Sequence, residues 1–239
     1  MTLRNYRRVA GHRSYHSAHW WAASSWAFSA NCLHSVIEPW VKVRRSGVAP
    51  GDNRLRCSYA RVMARKGVLS LVVSGAAPAS DARSLVKQAL ARGWTVQVIA
   101  TPSALAFFDA QELEALAGSP VRSQHRAPGT PRSQVPDAII VAPATFNLLN
   151  QWALGIADSY PLAVLAEQTG MGLPIVALPC VSGPLACRPQ FARSVKTLRG
   201  EGVSVLLGPG GTGPPGATDD AFPWHLGLDE AYSMTGLGG

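Results

Sequence analysis

The polar segment from Thr145 to Asn150 carries the side chains whose types and spacing are best suited to chemistry. Thr145, Asn147 and Asn150 follow an apolar run, residues 138–142, and Pro143. Helical spacing begins inside this segment, and the unpaired backbone amides at the start of a helix favour an anion such as phosphate. The segment therefore predicts a binding site for an anionic ligand.

The elements around this segment place it at the edge of a sheet. Residues 138–142 are rich in β-branched side chains and have no polar break, which predicts a strand buried on both faces, and Pro143 is predicted to end it. The helical spacing that follows is carried by Leu148, Leu149, Trp152, Ala153 and Ile156. Because ligands in open α/β sheets bind beyond the carboxyl ends of the strands, this strand, turn and helix predict a site at that edge.

The rest of the pattern predicts a doubly wound parallel sheet. Residues 67–73 and 94–100 are predicted strands, joined by a helix that Ser80 or Asp81 caps and Gly93 stops. A strand–helix–strand unit of this length makes a parallel pair. Further helices are predicted at 113–121, 163–168 and 190–199, and further strands at 173–178 and 203–207. The expected fold is a three-layer αβα domain within residues 67–207.

These motifs resemble the homo-oligomeric flavin-containing cysteine decarboxylases. That family has a Pro-Ala-Ser-Ala-Asn-Thr signature and then Gly-x-x-Asp. Here residues 143–148 are Pro-Ala-Thr-Phe-Asn-Leu and residues 155–158 are Gly-Ile-Ala-Asp. The resemblance covers about residues 67–208. It implies a flavodoxin-like (Rossmann-type) fold, an FMN cofactor, a small-molecule or peptide thiol substrate, and assembly as a homo-oligomer, a trimer or a multiple of it.

The resemblance also implies which residues form the flavin site. In the family a Ser/Thr-Gly-Ser loop binds the FMN phosphate; Ser74 and Gly75 match it, and Ala76 replaces the second Ser. Asn147 would be the catalytic residue, orienting a substrate carboxylate beside the flavin, and it would also contact the cofactor. The other implied cofactor-binding residues are Thr101, Ser103, Phe107, Pro143, Ala144, Thr145 and Asp158. For Ser103, capping of a helix is the alternative.

Several family positions differ in this chain. Ala106 stands where many members have His, and no cysteine follows Cys187, although a flap beyond it supplies a cysteine acid in the family. The substrate clamp is also different, with Val181, Ser182, Leu185 and Ala186 in place of Met, Asn, Met and Trp. Cys180 is either a structural thiol or a replacement for the missing acid.

Three functions therefore stay open. The first is an FMN-dependent decarboxylase with a different substrate, such as a cysteine-ended peptide. The second is an FMN-binding protein without decarboxylase activity. The third is a flavodoxin-like domain that binds another nucleotide or none.

The chain's net charge of +8 comes from its first 66 residues. They hold 12 of the 22 Lys and Arg but two of the 14 acids, so the remaining residues carry a net charge of −2. Binding to nucleic acid is therefore not predicted for the folded part. The four cysteines lack metal-ligand spacing, so no metal site is expected. The expected chain is reduced and cytoplasmic. No apolar run approaches the ~18 residues of a membrane span.

Residues 1–62 show no sustained period of 2 or 3.6. They are interpreted as a targeting segment, a secretory signal, or an extension upstream of a working protein that starts at Met63. The last is favoured, because Met63-Ala-Arg-Lys leads directly into the first strand. The predicted organisation is an extension at 1–62, a flavoprotein domain at 63–207 and a Gly/Pro-rich tail at 208–239. The apolar stretch 152–165 is either a contact surface between copies or part of the core.

Overall fold

A five-stranded parallel sheet organises the part of the chain that the computed structural model describes, residues 67–127, 129, 133–218 and 221–237. The strands are β1 (Val68–Val73), β2 (Thr95–Ala100), β3 (Ala138–Ala144), β4 (Ile175–Pro179) and β5 (Ser204–Val205). Their order is β2-β1-β3-β4-β5. The order in which successive strands are added to the sheet reverses between β1 and β3, which is the topological switch point. The predicted doubly wound α/β fold is confirmed. The predicted extension 1–62 and start at Met63 lie outside the described residues and stay predictions.

Helices cover both faces of this sheet. They are α1 (Ala82–Ala91), α2 (Ala110–Ala117), α3 (Phe146–Ala153), α4 (Tyr160–Gly170), α5 (Gly183–Ala186), α6 (Pro189–Gly200) and α7 (Trp224–Thr235), with short 3₁₀ turns at Ala77–Asp81 and Ala104–Ala106. One apolar core joins the sheet to α1, α2 and α7. A second core joins the opposite face to α3, α4 and α6. The result is the predicted three-layer αβα arrangement.

Strand β3 runs through Pro143. The prediction that Pro143 ends the strand is therefore wrong. The strand continues to Ala144, and its pairing with β4 is irregular between Val141 and Ala144. A proline is tolerated at such an irregularity because the ladder needs no donor there. All seven residues of β3 are buried, as expected for a central strand covered on both faces.

Two predicted helix starts differ from the structure for local reasons. Helix α1 is preceded by a 3₁₀ turn, and Asp81 accepts a hydrogen bond from the side chain of Ser84 at 2.7 Å rather than capping backbone amides. Helix α2 begins three residues before the predicted 113–121. There the Asp109 carboxylate accepts from the backbone N–H of Gln111 at 2.8 Å, which caps the helix.

Helix α7 lies inside residues 208–239. The composition of this segment predicts a Gly/Pro-rich tail and no helix, so that prediction is wrong for α7. Trp224, Leu228 and Ala231 of α7 are buried in the core beside α1. Gly227 lies so close to β4 that a Cβ atom there would stand 2.9 Å from the Leu178 side chain. The helix was missed because the Gly/Pro-rich residues before it dominate the composition of the segment.

The stretch 152–165 contributes both to the core and to the surface. Trp152, Leu162 and Leu165 are buried in the second core. The indole N–H of Trp152 also donates to the hydroxyl of Thr169 at 3.0 Å. Of the large apolar residues in this stretch, Leu154 and Ile156 are exposed.

Candidate functional site

The loops that follow β1 and β2 touch at the carboxyl edge of the sheet. The backbone N–H of Thr101 donates to the carbonyl of Val73 at 2.9 Å, and the hydroxyls of Thr101 and Ser103 are 3.1 Å apart. Gly75 lies directly against Ser103, because a Cβ atom at Gly75 would stand 2.8 Å from the Ser103 hydroxyl oxygen. The structure thus brings together three residues that the sequence predicted for one site. Ser103 makes no side-chain cap, so the capping alternative is wrong.

The loops after β1 and β3 are joined by the side chain of Ser74. Its hydroxyl donates to the carbonyl of Pro143 at 2.6 Å and accepts from the backbone N–H of Thr145 at 2.9 Å. Ser74 is 1% exposed. A hydroxyl has one proton to donate, and here that proton is already used. The hydroxyl proton of Ser74 is therefore engaged in this arrangement, and the phosphate-binding role that the resemblance implies for Ser74 stays a prediction.

Thr145 starts helix α3 and leaves Asn147 at the surface. The Thr145 hydroxyl accepts from the backbone N–H of Leu148 at 3.5 Å, a long capping contact. Asn147 is exposed in the first turn of α3, and its side-chain amide has no hydrogen bond to any residue that the structure describes. An exposed amide in this position is free to bind a ligand.

Asn150 has a structural role, unlike Asn147. It is 9% exposed, and its amide oxygen accepts from the hydroxyl of Ser194 in α6 at 2.7 Å. The hydrogen bond joins α3 to α6 within the second core. The polar cluster identified in the sequence thus divides into a capping residue, an exposed amide and a buried helix contact.

Cys180 lies where β4 ends, next to the same group of loops. Its backbone N–H donates to the carbonyl of Ala144 at 2.8 Å. Burial raises the pKa of the Cys180 thiol, because the charged thiolate would be poorly solvated there. The thiol is therefore protonated at neutral pH and is a potential proton donor. Cys187, seven residues on, is exposed.

Two implied residues lie apart from these contacts. Phe107 follows the second 3₁₀ turn and is exposed, and Asp158 is exposed between α3 and α4. Within the described part of the chain, the side chain of neither makes a hydrogen bond, ion pair or ring contact. Pro143 and Ala144 are buried in β3, so only their backbone groups can contribute to a site.

A cavity of about 750 Å³ lies over β1 and β2 and contains none of the predicted site residues. Residues of the sheet, of α4 and of the segment after Arg122 line it. Sequence analysis missed it because its members come from four separate stretches of the chain. One available signal was Ser70, a polar residue in the middle of an apolar strand.

No described helix has the length and apolar character needed to cross a membrane. The described residues also contain no group of three His, Cys, Asp or Glu side chains that could hold a metal ion.

A parallel doubly wound sheet with glycine, hydroxyl and amide groups at its carboxyl edge defines an α/β protein of the nucleotide-binding type. The family model described as Flavoprotein matches residues 58–219, so the chain belongs to the Flavoprotein family. The predicted family is confirmed, and membership supports the predicted flavin, FMN.

Curated relatives share part of their length with this chain. The coenzyme A biosynthesis bifunctional protein CoaBC of Mycolicibacterium smegmatis is 33% identical over 148 residues, which are 60% of this chain and 35% of that protein. CoaBC of Mycobacterium tuberculosis H37Rv is 36% identical over 139 residues, 56% of this chain and 32% of that protein. The match thus spans about a third of the length of these relatives.

Solved structures share the fold. A PPC decarboxylase mutant complexed with pantothenoylaminoethenethiol superposes with a TM-score of 0.55 at 20% identity, covering 69% of this chain and 96% of that one. TvaF, an FMN-dependent cysteine decarboxylase from thioviridamide biosynthesis, gives 0.55 at 22% identity, covering 70% and 99%. HAL3 from Cryptococcus neoformans gives 0.59 at 20% identity, covering 72% and 98%. These likenesses confirm the predicted flavodoxin-like fold.

Proposed function

We propose that the chain binds FMN at the carboxyl edge of its sheet and uses it to decarboxylate a thiol-bearing substrate. Membership in the Flavoprotein family and the FMN-dependent decarboxylases among its structural neighbours support this. The observation that carries the proposal is the exposed, unpaired amide of Asn147 in the first turn of α3. Asn147 lies two residues after Thr145, whose backbone N–H donates a hydrogen bond to the Ser74 hydroxyl.

The residues at this edge fit a flavin phosphate. Gly75 keeps the loop after β1 free of a side chain that would strike Ser103. The hydroxyls of Thr101 and Ser103 and the backbone amides at the start of α3 supply donors for an anion. The contribution of Ser74 is to hold the loop after β3 in place. Bound FMN would accept the two electrons that the substrate loses.

The protein's own part in the reaction is to hold the substrate carboxylate. A C-terminal cysteine that becomes an enethiol loses CO₂, one proton and two electrons, and its Cα–carboxyl bond breaks. The amide N–H groups of Asn147 can donate to the carboxylate and fix that bond in position for cleavage. The protonated thiol of Cys180 is the alternative catalytic group at this edge. It could protonate the product sulfur if the enethiol first forms as an enethiolate, so that the substrate loses two protons and regains one.

A cysteine-ended peptide is the proposed substrate. The clamp positions hold Val181, Ser182, Leu185 and Ala186 in place of the family's Met, Asn, Met and Trp. Val181 is buried, and Leu185 of the short helix α5 is exposed, so these side chains present a different surface. A changed clamp favours a substrate other than the pantothenoyl-linked one.

Assembly and location complete the proposal. We infer a homo-oligomer, a trimer or a multiple of it, with the exposed Leu154 and Ile156 as contact residues. The two cysteines of the described part, Cys180 and Cys187, are free, which suits the reducing cytoplasm.

The proposal is tested with the full-length chain. We expect a yellow protein that releases FMN on denaturation and whose flavin is bleached without oxygen by cysteine-ended peptides. Asn147→Asp should keep the flavin but lose about a hundredfold in rate, since a catalytic hydrogen bond of about 3 kcal/mol is replaced by charge repulsion. Gln151→Glu, which adds the same charge to the same helix, should react like the original chain.

Other outcomes would contradict specific parts. A colourless protein that takes up no FMN would refute flavin binding and leave the domain to another nucleotide. Flavin without bleaching would favour a binding protein without decarboxylase activity, an alternative supported by Ala106 and by the missing flap cysteine. Activity lost in Cys180→Ser but kept in Asn147→Asp would transfer the catalytic role to Cys180.

A further inference from the structure

The cavity over β1 and β2 has the size and lining of a binding site. Its volume of about 750 Å³ falls within the range of roughly 300–1,000 Å³ typical of small-molecule sites. Residues of β1, β2 and α4 line it. The rest of this sheet face is covered by apolar side chains of α3, α4 and α6. A polar cavity is therefore an exception on this face.

Ser70 faces this cavity from the middle of β1. It is 3% exposed, and its hydroxyl has no hydrogen-bond partner in the part of the chain that the structure describes. The other five residues of β1 are apolar and buried. Ser70 is thus the one polar side chain of this strand, and it lies at the cavity. Its hydroxyl is available to a ligand in the cavity as a donor and an acceptor.

Gln168 is a second unpaired polar group at the same cavity. It lies on α4, and its side-chain amide oxygen is buried without a partner among the described residues. Rotation about the last torsion of the side chain can turn either the oxygen or the nitrogen of such an amide towards a neighbour. Gln168 can therefore accept from, or donate to, a molecule in the cavity.

Arg122 supplies a positive charge to the cavity, whose lining also contains the carboxylate of Glu167. Its backbone is fixed against β2, since its N–H donates to Val98 at 2.9 Å and its carbonyl accepts from Ala100 at 2.8 Å. Arg122 is half-buried and lines the cavity, and its side chain has no ion pair or hydrogen bond to a described residue, Glu167 included. An arginine that is anchored and unpaired in this way favours a carboxylate or phosphate.

An aromatic pair forms part of the cavity lining. The rings of His125 and Tyr160 meet edge to face with their centroids 5.3 Å apart. The pair offers an apolar surface next to the polar groups, as expected of a site for a small organic molecule.

We propose that this cavity binds a small organic anion, a carboxylate or phosphate ester that also carries several hydroxyl groups. Arg122 holds the anionic group, and Ser70 and Gln168 pair with the hydroxyls. The site is separate from the proposed flavin site, because none of the residues implied for FMN lines it. The proposal does not depend on decarboxylase activity.

The test uses the full chain as purified, with whatever flavin it holds. Gluconate and ribose 5-phosphate are the probes, with ribose as the neutral polyol and inorganic phosphate as the bare anion. We expect calorimetry to show that the first two bind with a Kd of about 1 mM or tighter, and at least tenfold more tightly than either control.

Variants separate the site from general effects on charge or folding. Arg122→Gln should weaken probe binding at least tenfold, and Lys87→Gln, which removes an exposed charge on α1, should leave it unchanged. Gln168→Leu should abolish binding and yet raise the urea midpoint, because it removes a buried, unpaired oxygen.

Three results would overturn the proposal. The first is that no probe binds, or that every probe binds to Arg122→Gln as tightly as it binds to the original chain. The second is that Arg122→Gln loses the flavin, since the cavity would then hold the cofactor itself. The third is that no probe binds while light scattering shows a smaller assembly for Arg122→Gln, which would assign the cavity to a contact between copies of the chain.

Discussion

The hydroxyl of Ser74 donates to the carbonyl of Pro143 at 2.6 Å, across 69 residues of sequence. The same oxygen accepts from the backbone N–H of Thr145, the residue that caps α3. The buried side chain of Ser74 therefore sets the position of the loop after β3 relative to the loop after β1. The start of α3 and its exposed Asn147 depend on this relationship.

Ser74→Ala should reduce both stability and flavin affinity. It removes one buried and one partly buried hydrogen bond and leaves the Thr145 N–H without its partner, at a cost of roughly 1–3 kcal/mol. The measurements are urea unfolding and titration with FMN. Ser80→Ala is the matched control, because the exposed Ser80 bonds to Ala77, only three residues away. Equal effects of the two variants would mean that the Ser74 hydroxyl does not hold the site.

Cys180→Ala should change how stability depends on pH. Burial raises the pKa of the Cys180 thiol in the folded chain, so the unfolded thiol ionises first as the pH rises. The free energy of unfolding should therefore fall above about pH 9 in the original chain. Below that pH both states are protonated, and this contribution to stability is fully present. The fall should be smaller in Cys180→Ala.

Urea unfolding at about pH 8 and about pH 10 measures this difference. Cys187→Ala is the control, since Cys187 is exposed. Burial also raises the pKa of Tyr232, but that group contributes equally in all three proteins. If the free energy of unfolding falls equally between these two pH values in Cys180→Ala and in the original chain, the thiol is not buried in the folded state.

Leu228→Ala should destabilise the domain by about 2–5 kcal/mol, because it opens a cavity between α7 and the sheet. Leu228 is fully buried, although it lies in a segment whose composition predicts a tail. Met234→Ala, on the exposed side of the same helix, should stay within roughly 0.5 kcal/mol of the original chain. Chemical denaturation measures both variants. A Leu228→Ala protein as stable as Met234→Ala would show that α7 is not part of the core.

A chain that starts at Met63 should fold like the full-length chain. The reason is that the positive charge and the irregular pattern of the sequence are confined to the residues before it. Circular dichroism during urea unfolding should give the same midpoint for both. A substantially lower midpoint, or insolubility of the shorter chain alone, would show that the preceding residues stabilise the fold.

The sequence alone determined the sheet, its doubly wound class and the family. These depend on local signals, since the apolar runs of β1 and β3 and the spacing of Leu148 and Trp152 are properties of neighbouring residues. The signature around Pro143 and Asn147 likewise lies in one short stretch. It identified the Flavoprotein family although several clamp residues differ.

Tertiary structure decided what individual polar residues do. The sequence could not distinguish Asn147 from Asn150, because the difference is the contact of Asn150 with Ser194, 44 residues away. Nor could it show that the Ser74 hydroxyl is already bonded to Pro143. A hydrogen bond between distant residues leaves no periodic pattern in the sequence, because it depends on which strands lie side by side. Only the folded sheet brings these partners together.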